Sequence, residues 1–276
     1  MTTTTPNAPT TPTTSARAPR LTFGRILDSE WAKIKTVRST LWTLLALFVV
    51  SVLISWAVAG LAASDVAKHV AEGKKDDAPD LLTVGVAFGQ IAALVLGVMS
   101  MTAEYSTGMI RTSLTAVPWR ASMLAAKAVV LTAVLFVVGA VTGFCCYFLA
   151  NLMLSAKHVG VGLGEPGVVR ALVGTGLYLA VLGLFGMALG VLLRHTAGAI
   201  TLGIALIFVV GGVVNLIPGK TGEWIAKLMP ANAGGQVMSV RGGDKMLDPW
   251  PGFAVFVAET LVLMVLGAVL LEKRDA

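Results

Sequence analysis

Apolar residues in this chain fall in long unbroken runs separated by short polar stretches. Six such runs occupy Leu41–Ala63, Leu81–Ala103, Ala128–Leu154, Val168–Leu193, Ala197–Ile217 and Gly252–Leu271. Each is close to the ~20 residues that one helix needs to cross a bilayer core. The runs lack the period-2 alternation of barrel strands, so helices are the way for their backbones to satisfy themselves in hydrocarbon. The pattern predicts an all-α, polytopic membrane protein with six transmembrane helices.

A different pattern precedes the first run. At 100° per residue, Phe23, Ile26, Leu27, Trp31, Ile34 and Val37 share one arc, while Arg25, Asp28, Lys33 and Lys35 lie largely opposite. An apolar face carrying Trp against a basic face predicts an interfacial amphipathic helix over residues 23–40. Glu30 breaks the pattern by projecting into the apolar arc. Two readings fit it: pairing with Lys33 at headgroup level, or contact with another loop. Residues 1–22, rich in Thr and Pro and without apolar periodicity, read as a disordered cytoplasmic tail. The six-helix domain then covers residues 41–276. In the last loop, Pro218–Pro251, the spacing of Trp224, Ile225, Leu228 and Met229 suits a short helix that lies on the membrane or dips back into the protein.

Composition agrees: 56% of residues are hydrophobic and 13% charged, which leaves little for a soluble domain. Placement of charge gives an orientation. Twelve Lys and Arg fall on the side of the termini and nine on the other, in longer loops. The positive-inside bias therefore puts both termini in the cytoplasm of a cell-membrane protein. The cations border the spans, where they meet anionic lipid, and form no groove suited to nucleic acid. Adjacent Cys145 and Cys146 point apart on a helix and read as small apolar fillers.

Sites for chemistry are sparse. His69, His158 and His195 sit in three loops without metal-ligand spacing, and no GxSxG occurs. Gly219-Lys220-Thr221 ends like a phosphate-binding loop, but Val214 stands where its first glycine belongs. The glycines of Gly160–Gly167 follow a membrane helix and not a strand. No nucleotide site, metal site or catalytic residue is read from this chain. Glu259, eight residues into the sixth run, is an intramembrane carboxyl and a functional candidate by default. Gln90 and Tyr178 lie at matching depth, and the three define a possible substrate path. Gly186 and Gly190 form a GxxxG pair, which marks a close helix interface without naming its partner.

Two stretches carry a family likeness. Residues 104–114 (EYSTGMIRTSL), followed by Pro118, resemble the cytoplasmic loop of ABC transporter permeases of the type 2 class. Residues 30–40 (EWAKIKTVRST) look like the membrane-proximal helix of actinobacterial exporter subunits in that class. The string Met229-Pro230, Asn232-Ala233 ahead of the last span is similar too. The resemblance implies a permease subunit without its own ATP-hydrolysing site. It would work as a homodimer or heterodimer with a similar permease, beside a separate ABC ATPase subunit that holds ATP and Mg. It implies coupling to the ATPase through Glu104, Gly108, Arg111 and Thr112. It also assigns Glu30, Trp31, Lys33 and Arg38 to the N-terminal interfacial helix. From the residues alone the competing reading is an ion-coupled secondary carrier or channel centred on Glu259.

Overall fold

The computed structural model of the chain describes residues 22–73, 78–108, 120–214, 216–242 and 246–273. The tail over 1–21 and the loop residues Met109–Trp119, including Arg111, Thr112 and Pro118, lie outside the described residues. Among those described there are helices and no strands. Six helices are long and apolar enough to cross a membrane, and the protein is a multi-pass α-helical membrane protein. They are α2 (Arg38–Ala71), α4 (Val86–Ser106, led by the short α3, Ala78–Leu81), α5 (Arg120–Ser155), α6 (Val168–Leu193), a composite fifth span, and α11 (Pro249–Lys273). The fifth span begins as α7 (Thr196–Ile204), passes through a π-helical turn (Ala205–Val210) and ends as α8 (Gly211–Val214).

Helix α6 is the axis of the bundle. Its apolar window is 72% buried, against 22–28% for the first, fifth and sixth spans, which present apolar side chains outward. In a bilayer, lipid tails are as apolar as leucine, so helices associate through close packing and small residues. Here glycines allow it. A Cβ on Gly97 of α4 would lie 2.0 Å from the Gly183 carbonyl oxygen of α6. Gly186 and Gly190 face the Leu94 and Val98 carbonyls in the same way. The GxxxG pair is therefore the α6 seam against α4. On the opposite flank, Gly176 meets the Phe136 carbonyl of α5, and Gly139 meets the Gly176 backbone.

Serine does comparable work for the first span. Gly85 and Gly89 approach Ser51 of α2, and the Gly85 N–H donates to Ser55 Oγ at 3.0 Å. At the far end, Arg170 donates to the carbonyls of Ser239 and Val240 at 3.0 and 2.9 Å, pinning the last loop onto α6. That loop divides into two short helices. Its helix α9 (Lys220–Leu228) leaves Trp224 60% exposed, whereas α10 (Pro230–Gly235) and Val237 are tucked against α6 and α11.

Several boundaries differ from the sequence reading, among them the start of α5 at Arg120, the end of the fifth span at Val214 and the limits of α11, Pro249–Lys273. The amphipathic helix α1 spans Phe23–Thr36 and stops at Val37, whose ψ of 106° leaves helical geometry, so residues 38–40 belong to the first span. The first span continues past Ala63 to Ala71, since Asp65 and Lys68 pair one turn apart and prolong it. The π turn inside the fifth span carries no apolar-periodicity signal.

The glycine seam yields a direct test. Gly97→Ala forces α4 off α6 and costs at least ~1–3 kcal/mol by overpacking. Gly212→Ala, on a helical glycine with no atom within 4 Å of its added methyl, is neutral or slightly stabilising. Unfolding titrations of the two purified variants check the contrast.

Candidate functional site

The N-terminal helix starts after Thr22, and its last turn carries Lys33 and Lys35, which suit the negative end of the helix dipole. Its bundle-facing stripe runs Ile26, Glu30, Lys33 and Ile34, the i, i+4, i+7, i+8 spacing of one helix face. Phe23 and Trp31 point away, 47% and 44% exposed, with the Lys35 ammonium 4.8 Å from the Trp31 ring centroid. The apolar arc is therefore shared between protein and surroundings, and Glu30 sits on the protein-facing side. Arg38 is exposed as the first residue of α2.

Glu30 joins three other charges in a closed ring. Lys33 Nζ donates to Glu30 Oε1 at 2.6 Å and to Glu104 Oε1 at 2.9 Å. Lys127 Nζ donates to Glu30 Oε2 at 2.7 Å and to Glu104 Oε1 at 2.8 Å. Each ammonium touches both carboxylates and each carboxylate touches both ammoniums. The signs alternate around the ring and sum to zero. Glu30, Glu104 and Lys127 are buried, while Lys33 is half-buried. Glu30 pairs with Lys33 one turn away, and its second partner is Lys127 inside helix α5, not a residue of another loop.

Why these elements supply the charges follows from their ends. Helix α4 terminates just past Glu104: the Thr107 N–H returns to the Ala103 carbonyl, and Gly108 takes φ +70°. A left-handed residue at a helix end favours glycine, which accounts for Gly108 in the family-like string. Its neighbour Tyr105 faces the other way, with the Arg194 guanidinium 5.2 Å from its ring centroid. Arg194 is itself left-handed (φ 51°), and His195 Nδ1 caps α7 by accepting the Gly198 N–H at 3.0 Å. The end of α4 is thus held on one side by the charge ring and on the other by the α6–α7 turn.

Lys127 is the member of the ring that sequence reasoning missed. In the sequence it is one of the twelve cations on the side of the termini. Lys127 immediately precedes the apolar run Ala128–Leu154, so the sequence marked it as a cation at a span edge, and only the fold, which starts α5 seven residues earlier, buries it and makes a partner necessary. For Lys33, burial lowers the pKa, but its hydrogen bonds and charge contacts with Glu30 and Glu104 outweigh this and raise it. Its stabilising contribution is therefore complete below 10.5 and is lost only as pH rises through the raised value.

The proposed path residues separate into two groups. Tyr178 donates to Gln90 Oε1 at 2.5 Å, joining α6 to α4 inside the core. Phe256, not Glu259, is the α11 residue that meets Tyr178, with ring centroids 5.7 Å apart. Glu259 lies at the edge of the exposed face of α11, and its buried Oε2 has no hydrogen-bond partner among the described residues. Gln90 and Tyr178 are partners to each other, and the structure does not bring Glu259 to either. Among the coupling candidates, Glu104 is buried in the ring and Gly108 is exposed. Arg111 and Thr112 lie outside the described residues.

A family model described as a protein of unknown function, DUF2705, matches residues 78–276, and the chain belongs to that family. The matched portion includes Glu104 and Lys127, whereas Glu30 and Lys33 precede it. No curated protein matches the chain.

Breaking the ring should be more damaging than dismantling it in neutral pairs. Lys127→Met leaves two buried carboxylates facing each other and should cost ~3–5 kcal/mol. Adding Glu104→Gln to that variant should recover part of the loss. Lys33→Ala, at a half-exposed position where water can take the place of the ammonium, should cost less than Lys127→Met. Unfolding titrations of the three proteins, with tryptophan fluorescence as the readout, check this order.

Proposed function

We propose that this member of the DUF2705 family is the membrane-spanning permease subunit of an ATP-driven exporter of the ABC type 2 class. It forms the substrate path in the cell membrane, with both termini cytoplasmic, and couples to a separate ATPase subunit. The observation that carries the reading is the charge ring. The two stretches that resemble this class, residues 30–40 and 104–114, lie far apart in sequence, yet Lys33 of one bonds Glu104 of the other at 2.9 Å. An element built to receive force from a partner needs its parts fixed to one another. The ring gives that to α1, α4 and α5, which then move as one body when the loop after Gly108 is displaced. The chain itself shows no sequence pattern for binding nucleotide, so the work must enter from the ATPase.

In this reading Glu104 positions the coupling region from within, and exposed Thr107 and Gly108 begin the surface that the ATPase touches. A dimer of this chain, or of this chain with a similar permease, encloses the path. The exposed apolar faces of the first, fifth and sixth spans are available for lipid and for that second permease.

The Glu259 oxygen without a partner among the described residues supports a second reading, an ion-coupled carrier in which this carboxyl binds or relays the coupling ion. The two separate cleanly. If an ATPase drives export, Glu259→Gln leaves ATP-dependent export intact. In an ion-coupled carrier it abolishes transport while the protein remains folded.

A cysteine at Thr107 should crosslink to an ATPase subunit in native membranes, and loss of ATP hydrolysis coupling should follow Lys127→Met. An assembled, active complex in which Thr107 never traps an ATPase refutes docking at this surface. In intact cells, a cysteine at Ser29 should resist an impermeant thiol reagent and one at Gly242 should react. The reverse pattern inverts the orientation and removes the coupling surface from the cytoplasm.

A further inference from the structure

Where α1 crosses the adjoining ends of α2, α4 and α5 there is a partly open cavity of about 240 Å³. Its wall on α4 is formed by Leu96, Met99, Ser100, Ala103, Glu104 and Thr107, the i, i+3, i+4, i+7, i+8, i+11 spacing of one helix face. At ~1.5 Å per residue that wall is about 16 Å long. A volume of this size drawn out over such a length is a slot. It is narrower than the ~10–12 Å that a helix with its side chains occupies, so a span of a second copy does not fit inside.

The slot has a direction. Helix α4 enters it with Leu96 and Met99 and leaves it with Glu104 and Thr107. Helix α5, which begins where α4 ends, enters with Lys127 and continues with Val130 and Leu131. Both put charge at the span ends beside α1 and apolar side chains one to two turns deeper. The polar groups on the wall are turned to the protein. Thr43 Oγ1 donates to the Ser39 carbonyl at 2.8 Å, Ser100 Oγ to the Gly97 carbonyl at 2.7 Å, and Thr107 Oγ1 to the Ala103 carbonyl at 2.8 Å. The two ammoniums and two carboxylates of the ring bond to one another, and their charges cancel. At the deep end Leu96, Val130 and Leu131 offer water too few partners to hold it. The rim is apolar as well, with Met99 37% exposed and Val37 44% exposed. Met99 lies one turn inside the second span, so the opening meets the acyl region of the adjoining leaflet.

From this geometry we infer that the slot holds one acyl chain of a membrane lipid drawn from the leaflet beside α1. The chain end points toward Leu96 and Leu131, and the head stays at the level of Thr107 and Lys33. The chain is what the site selects. A charge-balanced ring gives no preference between a zwitterionic and an anionic head. The inference goes beyond the transport reading and depends on neither an ATPase nor a coupling ion.

The test uses the full-length chain, stripped of lipid in detergent and mixed with an equimolar phosphatidylcholine that carries a diazirine in one acyl chain. With the diazirine at the chain end, adducts mapped by peptide mass spectrometry should fall around Leu96 and Leu131. With it beside the ester, they should fall around Ala103 and Thr107. In native mass spectra the folded protein should retain phosphatidylcholine and phosphatidylglycerol equally well. Glycerophosphocholine, a head without chains, should not be retained. Ser100→Phe fills the slot, and lost burial of even two methylenes should weaken retention by at least about tenfold. Met99→Trp narrows the slot from the neighbouring position and decides the matter if Ser100→Phe fails to fold. Labelling in the reverse order along α4 would overturn the inference. So would a folded wild-type protein that retains no lipid, a preference of about tenfold for one head, or undiminished retention in a folded, slot-filled variant.

Discussion

Backbone proximity around α6 is the constraint on which the rest of the molecule depends. Lipid tails compete equally for apolar side chains, so burying leucine gives a membrane bundle little preference for one arrangement. What selects this arrangement is the approach of carbonyl to glycine: Gly97 to Gly183, Gly186 to Leu94, Gly176 to Phe136. With α4 and α5 seated on two flanks of α6, the end of α4 and the start of α5 come together. That juxtaposition brings Glu104 and Lys127 within bonding distance.

The charge ring then adds the one element that glycine packing does not hold. Helix α1 leaves part of its apolar arc, Phe23 and Trp31, facing away from the bundle. Glu30 and Lys33 give it a fixed seat, because the four charges alternate and each closes two contacts. Removing any one member leaves a buried charge with half its compensation.

How much of this was readable in the chain depends on the kind of signal. The spans were legible because hydrocarbon thickness sets their length, and Val168–Leu193 was bounded to the residue. The α1 face was legible from helical spacing, although its end at Val37 was not, since a change in ψ leaves no mark on periodicity. Glu30 was visible as an anomaly, and Lys33 as one of its candidate partners. Lys127 was not connected to them, because a sequence places two residues in register only when they share an element. The GxxxG pair announced an interface but could not name α4. Glu259, Gln90 and Tyr178 were grouped by depth, and depth says nothing of azimuth: Phe256 turned out to hold the α6-facing position on α11.

A neutral ring has a consequence for how α1 responds to its surroundings. Most basic amphipathic helices adhere through anionic headgroups, so their attachment weakens as ionic strength rises and varies with lipid charge. Here three of the four charges that seat the helix are buried, where mobile ions screen them little. The exposed cations Lys35 and Arg38 remain open to screening by salt. Ionic strength therefore alters what the outer face of α1 attracts, while the position of the helix on the bundle stays the same.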